Sequence, residues 1–187
     1  PANLTVNTNV TSAGGNIIVE AFDNVIFAAG GTLQSGNGVA AGGNINVRAG
    51  DDITFTQTGT TITSVGTATS GNITISADEP VAGGGATDGT GTVTFVTGNA
   101  NFAGATILAD GTADGTITIE GEAVSLFNFS ANAGDSTLNI ITNRDLTGAG
   151  GITNDADDNV AELAAGTINL TTNNGSVGAS GREVAFQ

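Results

Sequence analysis

The chain repeats itself, and the spacing of the repeat limits what it can fold into. GNIIVEAFDNVIF begins at Gly15, GNINVRAGDDITF at Gly43 and GNITISADEPVAG at Gly71, two successive steps of 28 residues. Looser copies begin at Gly91 (GTVTFVTGNANFAG), Gly115 (GTITIEGEAVSLF), Ser136 (STLNIITNRDLTG) and Gly166 (GTINLTTNNGSVG). A short unit that recurs with variable loops cannot bury its apolar face alone and must stack on its neighbours, as in a solenoid or a propeller. Propeller blades need about 40 to 50 residues and four strands, more than this step can hold. An immunoglobulin-like sandwich has about seven strands but no self-similar motif.

Each copy alternates apolar and polar residues. Ile17, Val19 and Ala21 face one way and Ile18, Glu20 and Phe22 the other; Asp23-Asn24 breaks the run, and Val25 and Phe27 resume it. The second copy gives Ile45, Val47 and Ala49, a break at Asp51-Asp52, then Ile53 and Phe55. The third gives Ile73, Ile75 and Ala77, a break at Asp78-Glu79-Pro80, then Val81. Ile117, Ile119, Leu138, Ile140, Ile168 and Leu170 hold the corresponding places further on. Successive strand residues point to opposite faces, so these positions predict stacked apolar rows in an interior. A third short run often follows, GTLQS at 31–35 and TTITS at 60–64. The expected fold is all-β: a right-handed parallel β-helix, or β-solenoid, of about seven coils with two to three short strands per coil. Right-handed winding follows from the handedness of parallel crossovers. Seven coils at the interstrand spacing make a rod roughly 35 Å long. Residues 1–187 read as one domain, either whole or a segment of a longer secreted protein. The one helix-like patch is DADDNVAELAAG, residues 155–166.

Charge narrows the function classes. The chain has 18 Asp+Glu against 3 Lys+Arg, a net charge of -15. Arg48, Arg144 and Arg182 cannot build the basic face that nucleic acid phosphates require, so nucleic acid is not an expected partner. An anionic membrane surface is excluded likewise, and no apolar run reaches the length of a spanning helix, so no membrane insertion is expected. With 0 His and 0 Cys, a Ser-His-Asp triad, a thiol nucleophile and a His/Cys metal site are all ruled out.

Carboxylates, hydroxyls and amides remain. Asn16, Asn44 and Asn72 recur at one place, which predicts a structural ladder of side-chain amides bonding up the stack. Thr92, Thr116, Thr137 and Thr167 follow at that place in the later copies. Asp51-Asp52, Asp78-Glu79 and Glu120 with Glu122 are candidate acid/base pairs, since glycan hydrolysis uses two carboxylates across a cleft. They fall mostly at the breaks between strands, where Asp supports turns. Asp155, Asp157 and Asn159 form D-x-D-x-N, a weak Ca²⁺ candidate: oxygen ligands alternate, but the glycine and the closing glutamate of a calcium loop are missing. No other cofactor is expected. Phe127 and Phe129 face either out, as a contact patch, or in, through a bulge.

The pattern G-N-I-x-V-x-A-x-D-x-I-x-F resembles the repeats of filamentous haemagglutinin-type bacterial surface adhesins. As a pattern the resemblance spans most of residues 3–180. It implies a β-helical shaft, export by two-partner secretion and a place on the bacterial cell surface. The secretion domain of such adhesins is not legible, so the resemblance implies an internal shaft segment or a shorter relative. The expected function is a structural and adhesive rod of an extracellular, cell-surface or biofilm-matrix fibre, without catalysis. Its expected partners are other copies of itself, end to end, and surface or matrix glycans and proteins. Two other readings stand beside it: a filament subunit that stacks head to tail through open β-edges, and a β-helical glycan lyase or hydrolase.

Overall fold

A computed structural model describes residues 2–36, 38–56, 59–79, 90–95, 106–109, 113–126, 130–142, 151–154 and 163–178. Among them there is no helix, and the strands fall into coils of three. The first coil holds β1 (Leu4–Val6), β2 (Asn9–Ser12) and β3 (Ile17–Ala21), and the second β4 (Val25–Phe27), β5 (Thr32–Ser35) and β6 (Ile45–Ala49). The third has β7 (Ile53–Phe55), β8 (Thr61–Ser64) and β9 (Ile73–Ser76), and the fourth β10 (Thr92–Phe95), β11 (Thr106–Leu108) and β12 (Ile117–Gly121). The fifth has β13 (Ala123–Leu126), β14 (Ser130–Asn132) and β15 (Thr137–Thr142), and the sixth β16 (Ile152–Asn154), β17 (Leu163–Ala164) and β18 (Thr167–Thr172).

Strands pair in parallel with their counterparts in the coils directly below and above, the first and last coils on one side only, giving three 6-stranded sheets. The first sheet runs β1-β4-β7-β10-β13-β16; the second starts at β2 and the third at β3. The described residues therefore form a parallel β-helix of six coils.

Register builds the interior. In the third sheet Ile17, Ile45, Ile73, Ile117, Leu138 and Ile168 stack in one column. Val19, Val47, Ile75, Ile119, Ile140 and Leu170 stack in the next. In the first sheet Val25 lies beside Ile53 and Ile53 beside Val93. Phe27, Phe55 and Phe95 form a buried aromatic column, with ring centroids 4.5 Å apart at both steps and interplanar angles of 3° and 20°. Ile168 and Leu170, in the last coil, are only partly buried.

Two details depart from the sequence pattern. Seven motif copies stack as six coils because the copy at Gly91 is β10, which belongs to the first sheet and lies between β7 and β13. Alternation decides which residues face inward, but not which of three sheets receives the strand. For the same reason the third copy resumes at Val93 and Phe95, the residues that stack on Ile53 and Phe55. Val81 lies outside the described residues. The second departure is the helix-like patch: its described end, Leu163–Ala164, is strand β17 beside β14.

Candidate functional surfaces

The polar side chains gather at the corners between sheets. Where the second sheet turns into the third, glycine is required by the approach of neighbouring coils. A Cβ on Gly43 would strike the backbone of Gly15, and one on Gly71 would strike Gly43 O. The asparagine that follows each glycine bonds to the next coil. Asn16 Oδ1 accepts the Asn44 N–H, Asn44 Oδ1 that of Asn72, and Asn72 Oδ1 that of Thr116, each at 2.9 Å. The ladder thus runs from side chain to backbone, not from amide to amide, and it satisfies corner N–H groups that would otherwise need water. Thr116, Thr137 and Thr167 continue this column. Thr92 does not, because it precedes Val93 in the first sheet.

Two further columns escaped sequence reasoning. Entering the first sheet, Asn3 Oδ1 accepts the Asn24 N–H at 3.2 Å, Asn24 Oδ1 that of Asp52 at 3.0 Å, and Asp52 Oδ1 that of Thr92 at 2.8 Å. The Thr92 hydroxyl also donates to Asp52 Oδ1, at 2.8 Å. The second column is buried. Ser35 Oγ donates to Gly15 O at 2.9 Å and accepts from Gly43 N–H at 2.8 Å. Ser64 Oγ repeats this one coil higher, to Gly43 O at 2.7 Å and from Gly71 N–H at 3.0 Å. The one available signal was a serine closing each of NVTS, TLQS and TITS.

The sequence-adjacent carboxylates take different places. Asp52 belongs to the ladder just described, while Asp51 uses its N–H toward Asp23 O at 2.9 Å. Asp78 is buried at φ 56°, a left-handed conformation that Asp adopts more readily than most residues, and its N–H reaches Asp51 O at 3.2 Å. Glu79 and Glu120 converge on Ser76, whose Oγ lies 2.6 Å from Glu79 Oε1 and 2.9 Å from Glu120 Oε1. A hydroxyl has one proton, so the two glutamates compete for it. Glu122, just past the end of β12, is buried. Among the described residues no group of three Asp or Glu has the geometry to hold a metal ion. On the outer face of the third sheet Glu20 pairs in register with Arg48, and Arg48 Nη1 lies 3.5 Å from Glu20 Oε1.

In comparisons with protein-family models, curated proteins and solved structures, nothing matches this chain. Asp155, Asp157 and Asn159, and also Phe127 and Phe129, lie outside the described residues. The described amides, hydroxyls and carboxylates bond mainly to the coil above or below.

Proposed function

We propose that the chain is a structural rod: a shaft segment of an extracellular fibre at a bacterial surface, of the filamentous haemagglutinin type that its repeat resembles. The observation that carries this reading is the commitment of corner polar groups to coil stacking. Asn16, Asn44 and Asn72, Asn24 and Asp52, and Ser35 and Ser64 each bond across to a neighbouring coil. Groups held this way stiffen a stack; catalytic groups converge on a substrate instead. The outer faces remain for adhesive contact with glycans or proteins.

A second reading, a glycan-active β-helix, draws on Glu79 and Glu120 at Ser76. Incubation with polygalacturonate, alginate and neutral glycans, with and without Ca²⁺, separates the two. The rod reading expects no product. Turnover that disappears in Glu120→Gln, with folding unchanged by circular dichroism, overturns it.

A further inference from the structure

We draw no further inference here: the strongest candidate, the carboxylate cluster of Asp78, Glu79, Glu120 and Glu122 at the corner where the third sheet turns into the first, is an acidic cluster in which no second observation among the described residues marks a ligand, and its Glu79 and Glu120 already belong to the glycan-active reading.

Discussion

The lower three coils and the upper three share an interior but not their corners. From the first coil to the third the step is 28 residues each time; above that it becomes 44, then 21, then 30. In the lower half one residue type serves repeatedly: Gly15, Gly43 and Gly71, then Asn16, Asn44 and Asn72, then Ser35 and Ser64. In the upper half Thr116, Thr137 and Thr167 replace the asparagines, and Ala109 follows Ser64 in its column. The inward columns run through both halves without interruption. The bond from Thr116 to Asn72 crosses 44 residues at 2.9 Å, the same length as the bonds that cross 28. Stacking is therefore set by the apolar columns, and loop length is free to vary, as the slow growth of loop-closure entropy with length allows. Corner ladders reinforce a register that the interior has already chosen.

The largest effect should come from breaking an inward column. Ile45→Asp places a charge between Ile17 and Ile73 with no partner and should cost about 4 kcal/mol or more. If the columns carry both halves alike, Leu138→Asp in the fifth coil should be comparably damaging. Asn46→Asp, one residue over and facing outward, should melt close to the parent. Thermal denaturation of the three variants decides the point. An intact Leu138→Asp would mean that the upper coils are held by something other than their core.

The interior was legible because alternation is a local signal: a period of two marks the inward face whatever follows it. The asparagine ladder was legible because the same residue recurs. The column through Asn3, Asn24, Asp52 and Thr92 was not, since two residue types, Asn and Asp, share the one task of accepting the next coil's corner N–H, and the last donor is a threonine. Ser35 and Ser64 were missed because a serine at a strand end reads as a turn residue, and only the coil beneath shows its hydroxyl to be buried and doubly bonded. The sheet assignment of β10 was beyond local reading as well. GTVTF and GTITI alternate identically, and what separates them is the partner strand, Ile53–Phe55 for one and Ile73–Ser76 for the other.

The buried serines give the next effect. Ser64→Ala strands Gly43 O and the Gly71 N–H in a dry corner, a loss of about 2 kcal/mol, read as a lower denaturant midpoint at unchanged slope. The reverse graft, Ala109→Ser, sharpens the contrast between halves. There the Gly115 N–H already donates to Ala109 O at 2.9 Å, so a hydroxyl has no donor to rescue and should not raise the midpoint. A gain from Ala109→Ser would mean that the upper corner is under-satisfied.

A smaller change is expected at the exposed ladder. Asn44→Ala removes the acceptor for the Asn72 N–H, but water can reach that group, so the cost should be about 1 kcal/mol, below that of Ser64→Ala. Thr137→Ala, in the same column of the upper half, should cost less again. Equal losses at the two sites would show that the threonines do the asparagines' work.

The smallest effect belongs to Glu20 and Arg48, and salt determines how it must be measured. The side chains are 38% and 47% exposed and make one contact at 3.5 Å, which limits their coupling to about 1 kcal/mol. Arg48→Ala also moves an already acidic chain one unit further from neutrality, so its melting shift mixes lost pairing with added repulsion. Added salt acts oppositely on the two: it weakens the pair and relieves the repulsion. A double-mutant cycle with Glu20→Ala and Arg48→Ala at low and high salt isolates the coupling. It should fall toward zero as salt rises, while the parent's melting temperature climbs. Higher in the same column Ser76 and Glu120 come next and then the neutral Ile141 and Thr171, so Ile141→Ala removes no ion pair and should show no comparable coupling. Coupling that survives high salt would mean that the pair is shielded from solvent and locks the first two coils together more firmly than its exposure allows.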